Sequence, residues 1–184
     1  MNPRRALSAI GVVAAVAAAA VVWQNLPTQT DVLGPFDVHG EAGTPTTGRA
    51  LEANVTGVRI TPVVNGIKPA GVWVVVDTEL AGTTVSEYTH SKLVVGPNTY
   101  TPSDRFTLDS FIGTVNPGIT ERGSWVFDVA PDLVTPGAAE PLTLLVWAGD
   151  GRLDSRLVIR IPTEGSRLSR VDEVALDKPR SAAS

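Results

Sequence analysis

Between Leu51 and Pro162, apolar side chains recur at every second position, a pattern that fits strands with one face turned to a core. Val72, Val74, Val76 and Leu80 share one face of their run, and Asp77 and Glu79 share the other. Trp125, Phe127 and Val129 alternate against Ser124, Val126 and Asp128; Leu157, Ile159 and Ile161 alternate against Arg156, Val158 and Arg160. Val55 has the opposite parity from Val58 and Ile60, and a bulge at Gly57 would restore the register. Leu142 to Trp147 is apolar on both parities. Such a run suits a central strand covered on both sides, or one whose outer face meets something else.

The connections carry the same message. Leu93-Val94-Val95 and Thr99-Tyr100 flank the turn text Gly96-Pro97-Asn98, and the Asp150-Gly151 pair between two strand runs is a tight-hairpin signal. Asn116-Pro117-Gly118 and Val134-Thr135-Pro136-Gly137 are further turns. About seven short strands with no helical period between them predict an antiparallel two-sheet sandwich over residues 49–162, not a parallel α/β fold. Phe106, Leu108 and Ile112, beside Asp104-Arg105, fit a short helical turn or an irregular crossover. Residues 163–184 read as a C-terminal tail, with Leu168, Val171, Val174 and Leu176 offering a helical turn or two before an unstructured end.

Upstream, Arg4 and Arg5 precede Ala6–Trp23, eighteen residues without a charge and with Ser8 as the polar exception. As a helix this run is about 27 Å long, against a hydrocarbon core of roughly 30 Å. Residues 1–23 are therefore expected to anchor the chain in a lipid bilayer through Leu7, Ile10, Val12, Val13, Val16, Val21 and Val22, with Trp23 at the interface. Arg4 and Arg5, with no further basic residue until Arg49, place the N-terminus in the cytoplasm and the C-terminal bulk outside it. A cleaved signal sequence is the competing reading, because Ala18-Ala19-Ala20 offers a small-x-small site. Cleavage there would leave Val21-Val22-Trp23 as an apolar terminus, which counts against it. The arginine pair also fits a twin-arginine export signal, although basic residues ahead of an apolar run are common to export signals generally. Residues 24–48, with Pro27, Pro35, Pro45 and scattered glycines, read as a flexible linker; Val32, Leu33, Phe36 and Val38 carry the alternative of an added strand.

Composition removes several chemistries. Lys+Arg 15 against Asp+Glu 19 gives a net charge of −4, unlike the basic face that nucleic-acid binding needs. With Cys 0, thiol nucleophiles, cysteine metal sites and a lipid-modified cysteine are absent from this sequence. His39 and His90 are the chain's 2 histidines, so no metal site and no cofactor is expected. Asp150 and Asp154 could contribute to a calcium site, but an oxygen cage needs about six to eight ligands, and the turn already explains Asp150. Ser110, Ser124 or Ser155 with His90 lacks a nucleophile-elbow sequence, and the carboxylate pairs Asp104/Asp109 and Glu79/Glu87 read as solvated strand faces, so an enzyme is not expected. Asn54-Val55-Thr56 is a glycosylation sequon, incidental in a chain whose Arg, Ala, Val and Gly usage looks like GC-rich bacterial coding. Trp125 has core parity, whereas Trp73 and Trp147 lie opposite their strands' better apolar parity. These two are the candidate binding surface, since flat exposed rings stack on sugars.

Val55-Thr56-Gly57-Val58-Arg59, Val72 to Thr78, Leu93 to Tyr100 and Asn116-Pro117-Gly118, followed by Ser124 to Pro131, resemble the telokin-like, immunoglobulin-like sandwich of bacterial exported proteins. The resemblance covers about Ala53 to Ile161. Two departures are the Glu79-Leu80-Ala81 stretch, where many members carry Asn, and the missing anchoring cysteine. The resemblance implies an all-β, immunoglobulin-like antiparallel β-sandwich, here preceded by one N-terminal transmembrane helix, that is surface-exposed and non-enzymatic. The expected role is an extracytoplasmic binding or accessory module for another membrane or cell-envelope protein. The alternatives are a polysaccharide or lipid binder and, less favoured, a hydrolase.

Overall fold

The computed structural model describes residues 3–27, 32–111, 113–136, 141–163, 165 and 167–183, with the side chains of 3–12 and 182–183 excepted. It divides into two compact units, Met1–Gly34 and Pro35–Ser184. In the first, α1 (Pro3–Gln24) is closed by the Asn25 amide, which donates to the Val21 and Val22 carbonyls, and by Asn25 Nδ2, which donates to the Val21 carbonyl at 2.7 Å. Among the described residues no helix is long and apolar enough to cross a membrane. The spanning segment expected over Ala6–Trp23 is therefore not supplied at this level; its Leu7, Ile10 and Val12 lie outside the described side chains.

The second unit is a β-sandwich. In chain order its strands are β1 (Phe36–Glu41), β2 (Thr46–Thr47), β3 (Leu51–Thr61), β4 (Val72–Gly82), β5 (Glu87–Val95), β6 (Asn98–Tyr100), β7 (Thr114–Val115), β8 (Ile119–Val129), β9 (Leu142–Ala148), β10 (Ser155–Ile161), β11 (Leu168–Arg170) and β12 (Arg180–Ala183). One sheet runs β1-β10-β9-β5-β6, with β7 also on β5; the other runs β11-β3-β4-β8-β12, with β2 also on β3. They are called here the β5 sheet and the β4 sheet. Pairing is antiparallel except at two edges, β1 on β10 and β11 on β3.

The alternation read in the sequence is what packs the two sheets. Val74, Val76 and Leu80 of β4 and Trp125, Phe127 and Val129 of β8 face Leu142, Leu144 and Val146 of β9 and Leu157, Ile159 and Ile161 of β10, all almost fully buried. Burial of each such side chain contributes roughly 1.5–3 kcal/mol relative to exposure. The register of β3 on β4 shifts between Val55 and Gly57, which puts Val55 and Val58 on the same inner face. A second cluster lies on the outside of the β4 sheet, where Val64, Phe106 and Val174 cover Trp73, Val75 and Val126.

Three expectations change. Residues 36–41 and 46–47 belong to the sandwich, so at Phe36 and Val38 the added-strand alternative holds over the linker: β1 pairs along β10, Asp37 meets Arg156, and Val38 packs on the core. The tail is neither helix nor loose end. Its β11 and β12 take opposite edges of the β4 sheet, and Val174 between them is buried. The Asp150-Gly151 text sits in a six-residue connection between β9 and β10, with positive φ at Gly149, Gly151 and Leu153, instead of a two-residue hairpin. The two-residue turn is Gly96-Pro97, where Val95 opposes Asn98 and Gly96 has φ 55. Phe106 lies in a short 3-10 turn, Asp104–Phe106, as one of the two expected readings; Ile112 lies outside the described residues.

Candidate functional site

Strand register assembles the site on the outer face of the β5 sheet. Trp147 on β9 stands between Arg156 of β10 and His90 of β5, and Asp37 of β1 lies beyond Arg156. One row along, Leu145 stands between Val158 and Lys92, with His39 beyond Val158; the next row brings Arg160 beside Thr143 and Glu41. Side chains two apart on a strand share a face, so the inward burial of Leu144, Val146, Leu157 and Ile159 forces these residues outward. Leu145, Trp147 and Val158 remain half-buried, while His39, His90, Lys92 and Arg160 are exposed.

The ring contacts are ordered. His90 stacks on Trp147 with centroids 5.6 Å apart and planes 20° from parallel, and Tyr88 tilts against His90 at 5.4 Å. Lys92 Nζ lies 6.0 Å from the centroid of the Trp147 ring, a cation–π approach. Gly151 borders the same ring: a Cβ there would stand 3.1 Å from Trp147 Cδ1, in a backbone with φ 72. Arg156 donates twice to Asp37, at 2.8 and 2.9 Å. That hydrogen bonding, the largest cause, together with the nearby Arg156 and His39 charges, outweighs desolvation and holds the Asp37 carboxyl below the usual aspartate range. With Asp37 committed to Arg156, the face offers Lys92 and Arg160 against Glu41, with His39 and His90 beside them.

Trp73, the other candidate, is not on the surface. It is 1% exposed, its Nε1 donates to the Ile67 carbonyl at 2.9 Å, and Phe106 meets it edge-on at 5.1 Å. The parity argument placed it correctly on the outer face of β4, but the chain folds back over that face. Trp125 is in the core, as its parity required.

The other sequence candidates are dispersed. His90 is on the outside of the β5 sheet, whereas Ser124 on the outside of the β4 sheet donates to Asp77 at 2.6 Å. Ser110 is buried and donates to the Ser124 carbonyl, and Ser155 is buried and accepts from the Arg49 amide. Glu79 pairs with Arg122 at 2.8 Å on the β4 sheet, while Glu87 belongs to β5. Asp104 lies in the 3-10 turn, and Asp109 accepts from Asn65. Asp150 accepts from the Arg152 amide and Asp154 from the Ser155 amide, both local turn bonds. Asn54 of the sequon is half-buried within β3, opposite Glu79. A polar groove of about 640 Å³ lies between the C-terminal segment and the β4 sheet, where Asp77 holds Arg59 through bonds of 2.6 and 2.9 Å.

The β1 side of the site, with His39 and Asp37, was within reach only through the alternative strand over Phe36 and Val38, which competed with the linker reading. The β9 side had its own signal, the doubly apolar run Leu142–Trp147, whose outer half is Leu145 and Trp147.

No family model matches the chain, and no curated protein matches it. Two solved structures are similar to it: an uncharacterized β-sandwich protein from Clostridium difficile 630, with 14% identity, a TM-score of 0.45 and coverage of 73% of this chain and 99% of that one; and a candidate lipoprotein from Staphylococcus aureus, with 12% identity, a TM-score of 0.43 and coverage of 73% and 96%.

Proposed function

We propose that the chain is a membrane-anchored, extracytoplasmic and non-enzymatic binding module whose β5-sheet face engages another membrane or cell-envelope protein. The observation that carries this reading is the half-buried strip Leu145, Trp147 and Val158 flanked by Lys92, Arg156 and Arg160, in a body whose opposite sheet covers its own outer tryptophan. Apolar area left in water costs about 25 cal/mol per Å², which a covering partner recovers. Tryptophan and arginine are also the residues that protein interfaces favour.

Trp147 is already engaged by His90 and Lys92, which supports a protein partner over a sugar stacked on the ring. Arg4-Arg5 ahead of the uncharged Ala6–Trp23 run supports a single pass with the N-terminus in the cytoplasm. Such an anchor raises the module's effective concentration beside other membrane proteins. The β4–β8 and β5–β9–β10 adjacencies support the immunoglobulin-like subclass of the sandwich.

The test is co-purification of the full chain, tagged after Ser184, from gently solubilised membranes. The expected result is one stoichiometric membrane protein, lost about tenfold or more with Trp147→Ala or Arg160→Glu while the melting temperature is kept. A lone monomer at every salt concentration would contradict the reading.

A further inference from the structure

The free side of β8 is covered in two pieces that differ in how firmly they are held. Along its second half, the Ser103 and Phe111 amides donate to the Val126 and Ser124 carbonyls at 2.7 and 3.0 Å, and Phe106 and Phe111 of the same segment are buried. Along its first half lies β12, with Arg180 opposite Arg122, Ser181 opposite Glu121, Ala182 opposite Thr120 and Ala183 opposite Ile119. The C-terminal segment is fastened at Val174, which is buried and bonds the Val63 carbonyl, and at the Leu176 amide, which donates to Asn65 at 2.8 Å. Beyond it, Asp177, Lys178, Arg180 and Ser181 are exposed.

The β12 ladder therefore begins on a pair of like charges. Directly opposed like charges destabilise antiparallel pairing. Among the described residues, Arg122 pairs with Glu79 at 2.8 Å and Arg180 with the exposed Asp177 at 3.5 Å. An edge strand whose first pair sets two arginines opposite each other is one the body can release.

We propose that β12 is a displaceable cover and that Ile119–Arg122 of β8 is a strand-addition site for an extended segment of a partner protein carrying a carboxylate opposite Arg122. Such a segment repeats the main-chain bonds of β12 and turns the Arg–Arg clash into an Arg–carboxylate pair. This edge is separate from the β5-sheet face, and its test does not depend on that face.

The probe is a fluorescent peptide of residues 177–184 with Arg180 replaced by Asp; the unaltered peptide is the control. Three proteins are compared by anisotropy: the full chain, the chain ending at Pro179, and the full chain carrying Arg180→Asp. The Asp peptide is expected to bind the shortened chain about fivefold more tightly than the control peptide, the ratio that corresponds to about 1 kcal/mol for one cross-strand charge pair. It is expected to bind the full chain more weakly than the shortened one, and the Arg180→Asp chain more weakly still. In the unmodified full chain, amides of residues 180–183 should exchange with solvent faster than those of Ser124–Val129, and Arg180→Asp should slow them. Equal binding to all three proteins would overturn the proposal, as would no binding to a folded shortened chain or loss of folding on shortening. A concentration-dependent dimer of the full chain that disappears on shortening would also overturn it, in favour of exchange between copies.

Discussion

Trp73 and Trp147 have the same parity relation to their strands and opposite fates, and the difference lies in what the rest of the chain does above each. Trp73 is covered by Val64, Phe106 and Val174, so Trp73→Ala opens a cavity beneath them and should cost about 3–5 kcal/mol in a thermal or denaturant melt. Trp147→Ala removes a partly buried ring and its His90 stack, and should cost clearly less stability than Trp73→Ala while reducing partner capture. Equal costs for the two variants would mean that the faces are wrongly assigned. Asp37 supplies a pH signature at the same scale. Its folded carboxyl titrates below the usual range, so its contribution is present at neutral pH and is lost as the pH falls through that lowered value. The Asp37–Arg156 pair is about one-third exposed, which limits the contribution to under about 1 kcal/mol. Asp37→Asn should therefore lower the melting temperature slightly at pH 7 and leave it unchanged at pH 2. Glu121 has the opposite sign. Burial raises its carboxyl above the usual glutamate range, so ionisation costs stability as the pH rises through the raised value, and Glu121→Gln should raise the melting temperature at pH 7 but not at pH 3.

At the scale of elements, the strands with a buried face were legible because alternation reports burial. β3, β4, β8, β9 and β10 fall where their patterns placed them, and the Gly57 bulge falls where the parity broke. The edge strands were legible only in part: Phe36 and Val38 carried an added strand as the alternative to a linker, whereas β2, β11 and β12 were not read. At two to six residues each, these strands carry too little alternation to declare themselves. A Cβ at Gly40 would collide with the Thr46 side chain, so β1 and β2 can approach only without one. Gly40→Val should consequently destabilise the body by more than about 1 kcal/mol and speed amide exchange in residues 36–47, measurable by hydrogen exchange. The Trp147 half of the candidate site was visible as a doubly apolar strand; the β1 half was visible only as the alternative to a linker, because it takes its place only once β1 joins β10.

At the scale of the molecule, the two sheets solve the problem of their outer faces differently. The β4 sheet spends its crossover and C-terminal segments on covering itself, whereas the β5 sheet presents aromatic, aliphatic and basic side chains side by side. On the proposed function, the uncharged N-terminal run keeps that face beside a membrane. The direct test places a photo-reactive amino acid at Trp147 in the full chain in intact cells, with the same substitution at Val171, on the C-terminal segment, as the comparison. The account predicts one discrete cross-linked membrane or envelope protein from position 147 and none of that species from position 171. Equal cross-linking from both positions, or none from position 147, would contradict it.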